Sequence, residues 1–219
     1  RFRRYGRKLM QLTNEWYYFS GVVNETMCNK IIELGDGYYD SVKIDQHEGI
    51  TDQERITGKK ISVASDLNIR ISDIKWVDNQ WLYDLIFPYM RTANKNTGWD
   101  FDIRSAETIQ LTKYKKGSFY SWHPDGRADN LSTYDSSKGK FMEGYVRKLS
   151  MSILLNEDFS GGKFQFANIY NGKKKILTPE LRKLGSILVF PSYMEHRVTT
   201  ITRGIRYALV AWFLGPPFK

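Results

Sequence analysis

The chain has 219 residues with 41% hydrophobic and 15% aromatic content and a formal net charge of +9; that is enough apolar material for a buried core and excludes a disordered polymer. Its longest apolar run, Tyr207 to Leu214, falls far short of the roughly 20 residues of a membrane-crossing helix, and the basic start RFRRYGRKLM lacks the apolar stretch of about 7 to 15 residues of an export signal. Cys28 is the single cysteine, which rules out an internal disulfide and suits a reducing compartment, so the cytoplasm is the expected location.

In chain order, the first expected element is a short amphipathic helix over NETMCNKIIEL, Asn24 to Leu34, opened by capping residues and carrying Met27, Ile31, Ile32 and Leu34 on one face. Asp40 to Lys60 mixes Gly49 and Gly58 with charged and amide residues and holds no period, which predicts an exposed loop. From Ser72 to Ala93, Trp76, Trp81, Leu82, Leu85 and Ile86 recur at mixed helical spacing and Pro88 interrupts them, predicting a helical pair or one broken helix.

From Glu107 onward the segments become short, rich in Ile, Val, Tyr, Phe and Thr, and bounded by Gly, Asn, Asp or Pro. Strands are expected over Thr108 to Tyr114, Phe119 to Trp122, Leu149 to Leu155, Lys163 to Phe166, Lys174 to Leu177, Ser186 to Phe190, Glu195 to Ile201 and Ile205 to Phe213. With no helices between them, these predict a mainly β double-sheet barrel or jelly roll in one domain, with helical support over about 1–104 and the core over about 105–219. The polar stretch Gly126 to Gly144 is either a lid or a solvated excursion. Clusters such as Lys173, Lys174 and Lys175 would attract a polyanion, although such runs more often solubilise a surface.

Two of the three histidines, His123 and His196, lie in the strand-rich half, whereas His47 lies in the polar loop. His123 and Asp125 are one residue apart, so an extended backbone turns both to one face. A histidine from a distant strand would complete two nitrogens and one carboxylate, leaving three positions on octahedral Fe(II) for a bidentate 2-oxo acid and O₂. A His-x-Asp pair alone is a weak signal; its weight comes from HRVTTITRGIRYALVAWF. There, a turn at Thr202, Arg203 and Gly204 predicts consecutive antiparallel strands carrying His196 and Arg206. The second carboxylate of a buried 2-oxoglutarate needs a paired cation, for which Arg206 is the candidate, while Arg203 is expected to be exposed.

The runs YKKGSFYSWHPD (Tyr114 to Asp125), SMSILLNEDFSGGKFQF (Ser150 to Phe166) and FPSYMEHRVTTITRGIRYALVAWFLGP (Phe190 to Pro216) resemble the 2-oxoglutarate and Fe(II) oxygenase superfamily. Within it they are similar to the prolyl 4-hydroxylase-like branch and its bacterial and phage-encoded PKHD-type members. IRISDIKWV, WDFDI around Trp99 and IQLTKY resemble the same branch, so the likeness runs from about Asn68 onward.

The resemblance implies a double-stranded β-helix, a cupin-like jelly roll, flanked by supporting helices. It implies His123, Asp125 and His196 as catalytic iron ligands and Arg206 on the far carboxylate of 2-oxoglutarate. Tyr114 would hydrogen-bond that cosubstrate, Tyr120 would line the same pocket, and Trp122 and Trp212 would pack near the iron. Ser152 and Leu154 share an inward face, and some relatives carry a hydroxyl where Leu154 falls, so a second hydrogen bond to the far carboxylate is unassigned. Asn156 reads as a turn residue. The implied chemistry decarboxylates 2-oxoglutarate to succinate and CO₂ and hydroxylates an unactivated C–H bond, using Fe(II), O₂ and, as an accessory, ascorbate.

The favoured partner is a protein or peptide segment hydroxylated at proline, held between the 40–60 loop and the insertion by a monomer or homodimer without a membrane. Nucleic-acid demethylation, small-molecule hydroxylation and a non-catalytic cupin-like metal-binding protein are the alternatives. YALVA after Arg206 lacks the second arginine of the nucleic-acid group, and a mere binder needs no deep cation.

Overall fold

A computed structural model describes residues 15–35, 40–45, 68–126, 133–135, 142–170 and 173–218. The expected first helix is α1 (Glu25–Glu33), where the Asn24 side chain accepts from the Met27 N–H at 2.9 Å and Cys28 and Ile31 are buried. The expected helical pair over 72–93 is instead a strand followed by one helix: β3 (Asn68–Val77), then α2 (Gln80–Asn96). On β3 the buried positions include Arg70, Ser72 and Ile74. A strand whose inward face is partly polar defeats an alternation test built on apolar residues.

Pro88 lies inside α2 on its exposed side and does not end it. Leu82, Ile86, Met90 and Ala93 recur on the opposite face and are buried, and their packing outweighs the roughly 3 kcal/mol that an interior proline costs. Replacing Pro88 by Ala restores a donor to the Asp84 carbonyl. It is expected to stabilise the protein by about 1–2 kcal/mol after the entropy gained by the unfolded chain; a lower melting midpoint would contradict this.

The first part of the expected 40–60 loop is β2 (Asp40–Asp45), paired antiparallel with β3, and 46–60 lies outside the described residues. DSVKID is charged and reads locally as a loop; the pairing that makes it a strand is a distant contact. The first 104 residues are therefore more than helical support, because β1 (Tyr17–Phe19), β2 and β3 join the main sheet.

The remaining strands are β4 (Ser105–Ala106), β5 (Ile109–Tyr114), β6 (Phe119–His123), β7 (Val146–Leu154), β8 (Phe159–Gly161), β9 (Phe164–Tyr170), β10 (Lys173–Leu177), β11 (Ile187–Pro191), β12 (His196–Val198), β13 (Ile201–Gly204) and β14 (Arg206–Gly215). The main antiparallel sheet runs β1-β11-β7-β14-β5-β3-β6-β12-β9-β10. Its fold line is β3, which pairs with β5 through Asp73 to Val77 and with β6 through Arg70 and Ile71. The sheet thus curls into the jelly roll expected from the sequence, with β11, β7, β14 and β5 in one layer and β6, β12, β9 and β10 in the other.

Period-two alternation sorts the major layer's side chains. Ile109 and Leu111, Leu149, Met151 and Ile153, and Leu209, Ala211 and Phe213 form one core with Ile31, Leu82, Ile86 and Met90 of the helices. The other parity, including Tyr114 and Leu154, faces Phe164, Phe166, Phe190 and Val198 between the layers.

The expected strand over Glu195 to Ile201 is split. β12 pairs with β6 and β9, while β13 leaves the main sheet to pair with β8. His196 and Arg206 consequently do not sit on paired neighbouring strands: His196 lies opposite His123 and Phe166, and Arg206 opposite Tyr114. Partner choice is the reason: Thr202, Arg203 and Gly204, expected as the turn, belong to β13 and pair toward β8, and only Ile205 separates β13 from β14. Gly204 adopts φ 73°, and a Cβ there would lie 2.3 Å from the Asp158 carbonyl oxygen.

Candidate metal and cosubstrate site

The curl brings His123, Asp125 and His196 together. His123 ends β6, His196 starts β12 directly opposite it, and Asp125 follows β6 with its N–H donating to the Ser192 carbonyl at 2.9 Å. Asp125 Oδ1 lies 3.7 Å from His123 Nε2 and Oδ2 lies 3.5 Å from His196 Nε2; one ligand atom from each of the three residues falls within 4.8 Å of the others.

Each imidazole is oriented from behind. His123 Nδ1 is 2.7 Å from the Ser121 carbonyl and His196 Nδ1 is 2.9 Å from the Met194 carbonyl. A carbonyl only accepts, so Nδ1 carries the proton and Nε2 keeps its lone pair for a metal.

Burial, then the neighbouring His196, push the His123 pKa down to about 3 against the opposing pull of Asp125. Burial alone would raise the Asp125 pKa, but His196, His123 and Arg147, with a hydrogen bond from Ser150, bring it below the ordinary carboxylate value. Ser150 is in turn supported by the Ser192 hydroxyl at 2.9 Å. His123 as a neutral nitrogen donor and Asp125 as an anionic oxygen, with the His196 Nε2 beside them, fit a facial divalent-iron site.

These shifts have a testable sign. Below the ordinary His value of 6.5 the unfolded chain protonates His123 while the folded chain resists until about 3, and the lowered Asp125 value acts in the same direction. The metal-free protein should lose stability as pH falls through that window, and His123→Gln should flatten part of the fall. An equal slope in wild type and variant would contradict the assignment.

The triad lines a cavity of about 430 Å³, counting its open mouth, together with Arg70, Gln110, Tyr114, Tyr120, Ser152, Arg206 and Trp212. Arg206 is 2% exposed and pairs with no carboxylate among the described residues; the Tyr114 ring lies 5.6 Å from its Cζ. Burial pushes its pKa below the ordinary arginine value, opposed by Tyr114, yet a guanidinium stays charged. An unpaired buried cation is costly, so the cavity calls for an anion.

Local features hold Arg206 in place. Asn156 is more than a turn residue: its Nδ2 donates to the Ile205 carbonyl at 2.7 Å and its Oδ1 accepts the Tyr207 N–H at 2.8 Å, fixing the backbone on both sides of Arg206. Gly162 has φ 58°, and a Cβ there would lie 3.0 Å from Arg206 Cδ. Leu154 packs into the apolar interior, so on that inward face the hydroxyl opening on the cavity belongs to Ser152.

Tyr114 is buried beside Arg206, Tyr120 stacks on His123 at 3.5 Å between centroids, and both line the cavity. Trp212 lines the cavity, but Trp122 does not; it lies 4.5 Å from the Arg197 guanidinium instead. The register slips between His196 and Val198, which frees Trp122 from the parity of the lining residues. Arg203 is exposed, as expected. His47 and residues 127–132 and 136–141 of the insertion lie outside the described residues.

Residues not anticipated include Arg70 and the pair Glu107 and Arg147. Arg70 is 6% exposed, donates from Nε to Ser72 Oγ at 2.7 Å and stacks 4.6 Å from Tyr120, while its buried Nη2 has no partner among the described residues. The polar i, i+2 pattern of Arg70 and Ser72 in a β-rich stretch was the available signal.

Residues 109–214 match the 2OG-Fe(II) oxygenase superfamily. A PKHD-type hydroxylase of Synechococcus sp. (strain CC9902) is 29% identical over 112 residues, covering 50% of this chain and 42% of that protein, so the matched stretch spans less than half of the curated relative. The viral collagen prolyl hydroxylase of Paramecium bursaria Chlorella virus-1, in its 2OG complex, superposes with a TM-score of 0.58 at 16% identity, covering 93% of this chain and 97% of that one. A Trichoplax adhaerens prolyl hydroxylase, in complex with a peptide fragment of the hypoxia-inducible factor oxygen degradation domain, gives 0.62 at 16% identity, covering 92% and 84%. Those likenesses concern the fold, whereas the sequence match takes in both histidines, the aspartate and the buried arginine; residues 109–214 thus belong to the 2OG-Fe(II) oxygenase superfamily.

Proposed function

We propose that the chain is an Fe(II)- and 2-oxoglutarate-dependent dioxygenase, working as one domain, that hydroxylates a protein or peptide segment at proline. The observation carrying this reading is the buried Arg206, without a carboxylate partner among the described residues, in the same cavity as the His123, Asp125 and His196 cluster. The three would hold Fe(II), which when bound supplies O₂ activation. Arg206 would take the far carboxylate of 2-oxoglutarate, with Tyr114 and Ser152 as neighbouring hydroxyls. The apolar walls from Phe164, Phe190 and Val198 exclude water from the reacting atoms.

Support for a peptide comes from the rim. Trp76, 47% exposed, lies 6.1 Å from Trp212 between centroids and offers an aromatic surface for a proline ring. The names of the PKHD-type relatives and prolyl hydroxylase neighbours agree with this reading.

The test incubates the chain with Fe(II), 2-oxoglutarate and ascorbate against proline-rich peptides, methylated single-stranded DNA and small amino acids. Succinate release coupled to one added oxygen on a prolyl peptide is the expected result. Coupling only to DNA or to a free amino acid would overturn the peptide reading and leave the oxygenase reading standing.

A further inference from the structure

The metal cluster is braced from a part of the chain that touches neither the cavity nor the three ligand atoms. Arg147, on β7, donates from Nη1 to the Asp125 carbonyl at 3.1 Å, and its guanidinium lies 4.2 Å from the Trp212 ring. One side chain therefore joins the backbone of the carboxylate ligand to the wall of the cavity. Glu107, between β4 and β5, holds that guanidinium bidentately, accepting from Nε and Nη2 at 2.6 Å each. The Glu107 N–H is itself fixed on the Trp212 carbonyl at 2.9 Å.

Glu107 Oε1 accepts one more bond, from the Tyr134 hydroxyl at 2.6 Å. Tyr134 comes from the polar insertion after Asp125, and its backbone is tied to the approach to β7: its N–H donates to the Tyr145 carbonyl at 3.0 Å and its carbonyl accepts from Gly144 at 2.9 Å. The phenol thus reaches the Glu107 carboxylate from an anchored backbone. An oxygen held by two donors keeps its carboxylate from turning, and a bidentate pair is only as fixed as its carboxylate.

We propose that Tyr134 is a positioning residue for the metal site, holding Glu107 so that Arg147 stays on the Asp125 carbonyl and the Asp125 carboxylate keeps its place between His123 and His196. The inference rests on the metal assignment proposed above. It gives the insertion a role in metal affinity, since the hydroxyl that steadies the site is carried by that segment and not by the barrel strands.

The test titrates the purified, metal-free full chain with Co(II), read by visible absorption, without cosubstrate or substrate. Tyr134→Phe keeps the ring and removes the donor, so its melting midpoint should stay near that of wild type while Co(II) binding weakens about tenfold, the lower end for partners behind metal ligands. In a Glu107→Gln background the same change should add little, because the path to the metal is already broken. Arg147→Lys, which keeps charge and loses the fork, serves as background should Glu107→Gln fail to fold.

Unchanged Co(II) affinity in Tyr134→Phe, including the case of a lowered midpoint with intact affinity, would overturn the proposal. So would a full loss repeated in the second background, which would mean a route other than Glu107. A wild-type chain that binds no Co(II) brings down the metal assignment itself, a failure that a normal wild type with an unaffected Tyr134→Phe variant cannot mimic.

Discussion

Replacing Arg206 by Met should raise the 2-oxoglutarate concentration needed for half-maximal turnover by about a hundredfold or more while leaving the fold intact. Two independent arguments meet in this expectation. Arg206 is fully buried with no carboxylate partner among the described residues, so an incoming carboxylate would make the pair that the protein lacks. Deleting one member of a buried, hydrogen-bonded charge pair costs about 3–5 kcal/mol, which corresponds to roughly a hundred- to several-thousandfold in affinity. In the cosubstrate-free protein the balance reverses, because Met fills similar space without an unpaired charge. The melting midpoint should therefore hold or rise as cosubstrate binding falls. A variant with unchanged 2-oxoglutarate dependence would remove Arg206 from the site, and a strongly lowered midpoint would mean that the guanidinium has a structural partner.

The second large effect is expected at Asp125. Its carboxylate lies 3.7 Å from His123 Nε2 and 3.5 Å from His196 Nε2, and it is the anionic member of the donor set. Asp125→Ala removes a ligand outright. Even partners behind a ligand are worth about 10- to 100-fold in metal affinity, so a loss above about a hundredfold is expected here. Asp125→Glu, with its longer stem, should recover only part of that loss because Ser150 and the backbone around Asp125 are set for the shorter side chain. Metal binding by Asp125→Ala that matched wild type would show that the ion sits elsewhere.

Much of this was legible in the sequence where local pattern and tertiary role agree. The strands β5, β6, β7, β11 and β14 lie within a few residues of their expected bounds, and β5, β7, β11 and β14 do so because each alternates between an apolar face toward the helices and a second, inward face. The helix opened by Asn24 is visible from its cap and apolar spacing.

The misread segments fail for a different reason. Arg70 and Ser72 make the buried face of β3 polar because it borders the site, so the strand that folds the sheet over looked helical. The split between β12 and β13 depends on which distant strand each half pairs with, a choice that no window of sequence contains.

The candidate site divides in the same way. His123, Asp125, His196 and Arg206 were legible as residue types at a spacing that suits the chemistry, although the expected pairing of His196 with Arg206 was not the means by which they meet. Glu107 and Arg147 are 40 residues apart and meet only through the pairing of β7, β14 and their neighbours. Tyr134 is 27 residues from Glu107 and stands in a polar stretch where a single tyrosine carries no local signal.

The most direct test of the four-residue site is succinate production from 2-oxoglutarate by the purified chain in air, compared with and without Fe(II) and between wild type and His196→Ala. The site described here predicts Fe(II)-dependent succinate from wild type and none above background from His196→Ala. Succinate formed equally by both proteins, or by neither under any condition, would contradict it.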